Sequence, residues 1–187
     1  MGPSTQQVKI IEETWATAKG IDGVTETFYN RMFEMRPDYL TGIFKNSNIK
    51  VQAKMLSATL DVAIGLLRKP DELVPVLSDL GLRHCRYGVR PEDYKVGGAA
   101  LLWTLEYYFK EKFTPEVRDA WAAVWSVIES VMSAPCTTPR GIELLAEYDA
   151  RAHPPPRGAA FWPYIAIAVA ACAIGVVAAN LFSRPRA

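Results

Sequence analysis

The sequence is poor in histidine and cysteine, and this limits the kinds of site it can build. Two of its 187 residues are histidines and three are cysteines. The cysteines, Cys85, Cys136 and Cys172, lie far apart along the chain, and no two of them form a CxxC pair. This spacing disfavours both a zinc site and a disulfide framework. Cysteine so sparsely used fits a reducing compartment.

The chain also lacks an excess of charge of either sign. It carries 21 lysines and arginines against 20 acidic residues, for a formal net charge of +1. Without a basic surplus to neutralise phosphates, nucleic-acid binding is disfavoured. Half of the residues are hydrophobic and 22% are charged, a composition typical of globular proteins. The length suits one domain with an appendage.

Runs of alternating apolar and polar residues, the mark of half-buried strands, are missing as well. Up to about residue 133 the apolar positions recur with the helical period instead. A long helix is expected over about 50–67, and a second, beginning near Pro70, should end close to His84. Pro91 suits the first turn of the helix that follows. The pattern therefore predicts an all-α fold with seven or eight helices over residues 1–133.

The carboxyl-terminal part of the sequence has a different character. Prolines punctuate residues 134–160, which we interpret as a linker holding one short helix near Ile142–Tyr148. Residues 158–183 contain no charged side chain. As a helix, Tyr164–Phe182 would span roughly 28 Å, close to the thickness of a bilayer core.

We interpret residues 161–183 as a single transmembrane helix that anchors the protein by its tail. Trp162 suits the membrane interface at one end, and Arg184 follows the other. A buried core helix is the alternative, but such a helix normally has a polar face. The polar amino terminus predicts no signal peptide. A single terminal helix followed by few residues suits insertion after translation, so the globular part is expected in the cytosol. The mitochondrial outer membrane or the endoplasmic reticulum is the expected site, and a bacterial inner membrane remains an alternative.

His84 is the residue that points most clearly to chemistry. It lies within LGLRHCRYGVRPEDY, residues 80–94, near the predicted end of a helix. One imidazole is enough to hold a haem iron on its proximal side. Gln52 and Tyr29, on earlier helices, could face the opposite side of such a cofactor. On spacing alone, His84 could equally be a helix-end histidine beside a surface turn.

Several stretches together resemble the globin family, and most of all the globin domain of flavohaemoglobins and their single-domain bacterial relatives. The resemblance covers about residues 5–133. Its most specific part is FYNRMF at 28–33 together with PEDY at 91–94. The other matching stretches are IFKNSN (43–48), QAKML (52–56), RHCRYGV (83–89) and DAWAAVWSVI (119–128).

The resemblance implies a globin fold around haem b, with His84 as the iron ligand. It implies that Tyr29 and Gln52 stabilise bound oxygen and act in catalysis. It assigns further contacts with the cofactor or its ligand histidine to Phe44, Leu56 and Tyr94.

Two departures from the family pattern bear on function. The proximal network of the family includes a glutamate, but the corresponding region here, about residues 134–137, contains no acid. The nearest acid, Glu129, lies roughly two turns earlier. The sequence also has no GxGxxG motif of the kind found in dinucleotide-binding domains.

Three functions remain open at this point. The resemblance implies oxygen and nitric oxide binding, with oxidation of nitric oxide to nitrate if an external, membrane-bound reductase supplies electrons. A non-enzymatic oxygen carrier or sensor at a membrane is the second. A haem-free helical scaffold on a tail anchor is the third.

Overall fold

The computed structural model describes residues 2–154, and this part of the chain is helical throughout. It contains seven α-helices and three short 3-10 turns, and no strand. The predicted all-α class is therefore confirmed. The helices are α1 (Thr5–Ala18), α2 (Val24–Met35), α3 (Ile49–Gly65), α4 (Pro70–Arg86), α5 (Pro91–Phe109), α6 (Pro115–Ser133) and α7 (Pro139–Ala152). The 3-10 turns are Pro37–Leu40, Lys110–Lys112 and Ala134–Thr137.

Local capping signals set where several helices begin. The Ser4 hydroxyl accepts a hydrogen bond from the Gln7 backbone N–H, and the Gln7 side chain accepts one from the Ser4 N–H. This reciprocal capping box satisfies donors that the first turn of a helix leaves unpaired. Asn48 caps α3 and Thr114 caps α6 without a reciprocal bond, each through one side-chain oxygen that accepts from the first turn.

The core forms where α1 packs on α6 and α2 packs on α5. Trp121 of α6 is fully enclosed, and its indole N–H donates to the Thr14 hydroxyl at 2.9 Å. Its ring meets Trp15 edge to face, with the ring centroids 6.3 Å apart. Because the Trp121 indole N–H has this partner, its burial carries no unsatisfied donor.

The helices α3 and α4 pack against different partners although only residues 66–69 join them. The helix α3 lies against α2 and α1, whereas α4 lies against α6 and α7. Gly81 allows α4 to approach α6, since a Cβ there would lie 2.4 Å from the Met132 carbonyl oxygen. A groove of about 300 Å³ opens between α3 and α4. Its lining includes Val62 of α3 and Leu80 of α4.

The segment after α6 is more ordered than the expected linker with one short helix. A 3-10 turn leads into α7, which is 14 residues long and packs on α4. Leu144 is buried in this contact. Pro135 and Pro139 fall in the first turns of their helical segments, where the missing N–H is not needed, so they do not interrupt the structure. The compact unit accordingly runs to Ala152.

The predicted transmembrane segment, residues 161–183, lies outside the described residues. Within residues 2–154, no helix combines the length and apolar character that crossing a bilayer requires.

Candidate functional site

The imidazole of His84 is held by a single backbone contact on its own helix. It lies in the last turn of α4, and Nδ1 is 2.8 Å from the carbonyl oxygen of Leu80. A carbonyl can only accept, so Nδ1 carries the proton and Nε2 keeps its lone pair. Burial lowers the pKa of His84 below its ordinary value, and the hydrogen bond to Leu80 opposes this only in part. The ring is therefore neutral at neutral pH, with Nε2 able to bind a metal.

Tyr94 lies beside this imidazole but does not bond to it through its hydroxyl. The ring centroids of His84 and Tyr94 are 6.0 Å apart. The Tyr94 hydroxyl instead donates to the carbonyl oxygen of Met132, at 3.2 Å. Burial raises the pKa of Tyr94, so it stays a neutral phenol. Tyr94 thus supports the packing of α5 on α6 next to His84.

Cys136 lies in the 3-10 turn Ala134–Thr137, the region in which the globin family pattern has a glutamate. It is buried in one small cluster with Cys85, the residue after His84. Burial and the neighbouring Cys85 thiol raise the pKa of Cys136 to about 12. The turn therefore presents a neutral thiol, and Tyr94 pairs with a backbone carbonyl rather than a carboxylate.

Tyr29 and Phe44, two of the predicted site residues, contact each other through their rings. Tyr29 is buried on α2, and its ring centroid lies 5.6 Å from that of Phe44 in an edge-to-face contact. Phe33 packs on both rings, at 6.1 Å from Tyr29 and 5.3 Å from Phe44. Burial raises the pKa of Tyr29 to about 12, so its hydroxyl is a neutral hydrogen-bond donor.

Gln52 and Leu56 lie one turn apart on α3, so their side chains share a face of that helix. Both are half-buried, and Leu56 packs against the main core. The backbone N–H of Gln52 donates to the Asn48 carbonyl, but within residues 2–154 the Gln52 side-chain amide and the Tyr29 hydroxyl have no hydrogen-bond partner. Within the described chain, these two polar groups are the candidates for contacting a bound molecule.

Three residues that hold the site were not predicted from the sequence. The Leu80 carbonyl sets the tautomer of His84, and Cys136 stands in the turn where an acid was expected. Asp93 links the start of α5 to the 3-10 turn Pro37–Leu40. Asp93 accepts from the Tyr39 hydroxyl at 2.6 Å and from the Arg90 backbone N–H at 2.8 Å. The Leu80 contact was foreseeable, because a helical histidine has the carbonyl of residue i−4 within reach.

Comparison with known families identifies the fold. The sequence model of the family described as Globin matches residues 26–132. The chain belongs to the globin family. A protein of Pseudomonas aeruginosa, described as structurally highly homologous to a human hemoglobin, shares the fold with a TM-score of 0.61 and 21% identity. That comparison covers 68% of this chain and 96% of the other.

The related sequences include flavohemoproteins. Flavohemoprotein A of Dictyostelium discoideum is 31% identical over 134 residues, which is 68% of this chain and 32% of that protein. The Flavohemoprotein of Bacillus subtilis is 30% identical over 107 residues, 56% of this chain and 27% of that protein. The chain therefore spans only about a third of the length of the flavohemoproteins it matches.

The globin fold and these relatives imply that the protein binds haem, and the donor groups fit. Among residues 2–154, no three His, Cys, Asp or Glu side chains converge to hold a free metal ion. A haem iron, already held by porphyrin nitrogens, needs only one imidazole from the protein. His84 offers one, neutral and with its Nε2 lone pair available.

The lowered pKa of His84 predicts a pH dependence for the haem-free protein. The unfolded chain takes up a proton as the pH falls through about 6.5, but the folded chain resists, so the free energy of unfolding should decrease. His84→Gln should make this part of the profile flatter than that of the wild type. Urea denaturation at a series of pH values measures both. Equal slopes for the wild type and His84→Gln would contradict the assignment.

Proposed function

We propose that this globin binds haem b with Nε2 of His84 as the proximal ligand. The observation that carries the proposal is the His84–Leu80 hydrogen bond, which leaves a neutral imidazole with a free Nε2 lone pair. The packing of α3 on α1 and α2, and of α4 on α6 and α7, supports it, because a planar cofactor needs two walls that pack on other partners. Phe44 and Leu56, both half-buried, are the apolar contacts proposed for the porphyrin.

When bound, haem supplies an iron centre that can take up oxygen or nitric oxide. Tyr29 and Gln52 are the polar groups of this chain that would contact such a ligand. Tyr29 donates through its hydroxyl, which remains protonated because burial raises its pKa. Gln52 donates through its amide from the adjacent face of α3. Donors fixed in a site of low water content stabilise developing negative charge strongly.

The reaction we favour is oxidation of nitric oxide to nitrate, in which one nitric oxide, one oxygen molecule and one electron give one nitrate ion. Tyr29 and Gln52 are its proposed catalytic residues, since both can polarise bound oxygen. The electron comes from an external reductase, and a membrane-bound reductase is the partner class that suits a tail-anchored protein.

A second function, oxygen carriage or sensing without turnover, is favoured by the proximal side. A carboxylate hydrogen-bonded to the ligand histidine would make it a stronger electron donor to iron. Here Nδ1 bonds to a neutral carbonyl, and the Tyr94 hydroxyl bonds to the Met132 carbonyl. Cys136 adds a protonated thiol. This neutral environment suits stable oxygen binding at least as well as rapid turnover.

Haem binding through His84 is tested first. The purified protein should take up haem and show a Soret band that shifts on reduction and on addition of carbon monoxide. His84→Ala should lose this spectrum, while His153→Ala, at the exposed second histidine, should keep it. A wild-type chain that binds no haem would instead favour the haem-free scaffold. Retention of the wild-type spectrum by His84→Ala would disprove its role as ligand.

The role of Tyr29 is tested by removing its hydroxyl. Loss of one hydrogen bond to bound oxygen, worth about 1 kcal/mol, should speed oxygen dissociation from Tyr29→Phe about fivefold. Flash photolysis measures this rate. Tyr107→Phe, at an exposed position of α5, is the matched control.

The same two variants distinguish the enzyme from the carrier when a chemical reductant is supplied. An enzyme should consume nitric oxide catalytically, and Tyr29→Phe should consume it more slowly than Tyr107→Phe. Oxygen binding by the wild type without catalytic nitric oxide consumption would leave the carrier or sensor as the function.

We further propose that residues 161–183 anchor the protein in a membrane with the globin domain in the cytosol, at the mitochondrial outer membrane or the endoplasmic reticulum. The uncharged stretch from 158 to 183 supports this. The full chain should sediment with membranes and resist alkaline extraction, whereas a chain lacking 161–183 should stay in solution. Release of the full chain from membranes by alkali would contradict the proposed anchor.

Comparison of the full chain with the chain lacking residues 161–183 also tests the proposed membrane-bound reductase. Membrane extracts should reduce the ferric form of the full chain faster than that of the shortened one, because only the full chain would be held next to a membrane reductase. Equal rates would remove the support for such a partner.

A further inference from the structure

The helix α7 lies beyond the residues that the sequence model of the globin family matches, and it packs on the helix that carries His84. The family match ends at residue 132, and α7 runs from Pro139 to Ala152. Its residues Leu144, Tyr148 and Arg151 are spaced at i, i+4 and i+7, so they share one face. That face lies along the segment that follows His84.

Each of these three side chains contacts a different point of that segment. Leu144 packs with Cys85, which is fully enclosed. Arg151 donates to the carbonyl oxygen of Arg86 at 3.3 Å. These contacts cover the two residues that directly follow His84.

The ring of Tyr148 lies against Gly88, where the chain turns from α4 to α5. Gly88 has a φ of +87°, and a Cβ there would lie 2.4 Å from the Tyr148 ring. A residue with a side chain would thus be both strained and blocked at this position. The ring of Tyr148 fills the space that Gly88 leaves.

An ion pair extends the contact to the start of α5. One terminal nitrogen of Arg90 lies 2.9 Å from both carboxylate oxygens of Asp149. The backbone N–H of Arg90 also donates to Asp93, which accepts from Tyr39 on the opposite side. The α4–α5 corner, residues 85–90, is therefore held by α7 on one side and by the 3-10 turn Pro37–Leu40 on the other.

This corner is linked directly to the backbone of His84. The carbonyl oxygen of His84 accepts hydrogen bonds from the backbone N–H groups of Tyr87 and Val89, each at 3.0 Å. Movement of the corner would therefore move the last turn of α4 and, with it, the imidazole.

We propose that α7 is a proximal clamp, in which Tyr148 and Asp149 are positioning residues that fix the α4–α5 corner and thereby the imidazole of His84. The proposal rests on the proposed haem binding. Tyr148 contributes most, because its ring fills space beside the corner. The Arg90–Asp149 pair contributes less, because its side chains are 43% and 47% exposed and water screens their attraction.

The test compares two double variants on α7. Tyr148→Ala with Asp149→Asn removes the clamp. Glu143→Gln with Glu147→Gln is the control, because within residues 2–154 these two side chains pair with Arg140 of the same helix and not with the corner. It removes two negative charges from α7, one more than the clamp variant does. Tyr148→Phe is the conservative variant, because it keeps the ring beside Gly88.

The first measurement uses the haem-free protein and so does not depend on haem binding. Amide hydrogen exchange at residues 85–90 should become about tenfold faster in the clamp variant and stay unchanged in the control and in Tyr148→Phe. Unchanged exchange in the clamp variant would overturn the proposal. An equal increase in the exchange rate throughout all the helices would also overturn it, because such an increase would show that the variant destabilises the whole fold rather than the corner alone.

The second measurement uses the haem-loaded protein. Transfer of haem to an excess of a haem-free acceptor globin should be at least about threefold faster for the clamp variant. The iron–histidine stretching band of its ferrous form should be broader, because His84 takes several positions. Equal transfer rates and bands in the clamp variant and the control would overturn the proposal. A wild type that binds no haem would disprove the proposed function, while the exchange result would still decide whether α7 holds the corner.

Discussion

The hydrogen bond from Nδ1 of His84 to the Leu80 carbonyl oxygen determines what the site can do. It directs the proton to Nδ1 and leaves the Nε2 lone pair free. Burial keeps the ring neutral, which a metal-binding imidazole requires. The bond runs along α4 itself, so its geometry depends on how that helix is held. Packing of α4 on α6 and α7 fixes the position of this helix and, with it, of the imidazole in its last turn.

The two sides of the candidate site differ in their polar groups. On the α2–α3 side, Tyr29 and Gln52 have donor groups without partners among the described residues. Around His84, by contrast, the imidazole Nδ1–H and the Tyr94 hydroxyl each donate to a backbone carbonyl. The proposed function therefore combines donors suited to holding a bound diatomic with a ligand histidine whose hydrogen bonds add no negative charge. This combination explains why oxygen binding is the common element of both proposed functions.

The sequence was sufficient to predict the all-α class and the approximate position of each main helix, because caps, prolines and apolar periodicity are local signals. The contact between Tyr29 and Phe44 was not predicted, since it joins segments without local signals for each other. The length of helix α7 was underestimated, because Pro135 and Pro139 suggested a linker although each begins a helical segment. The partner of Tyr94 could not be predicted either, because a backbone carbonyl such as that of Met132 leaves no mark in the sequence. The roles of Tyr29, Gln52, Phe44, Leu56, His84 and Tyr94 toward haem stay predictions.

The central claim is that His84 and the Tyr29–Gln52 pair face opposite sides of one haem between α3 and α4. A crystal structure of the haem-loaded full chain in its ferrous, carbon monoxide-bound form tests it most directly. Iron should be bound to Nε2 of His84, and the Tyr29 hydroxyl and the Gln52 side-chain amide should lie on the carbon monoxide side. Iron bound by another residue, or a haem located outside the space between α3 and α4, would contradict it.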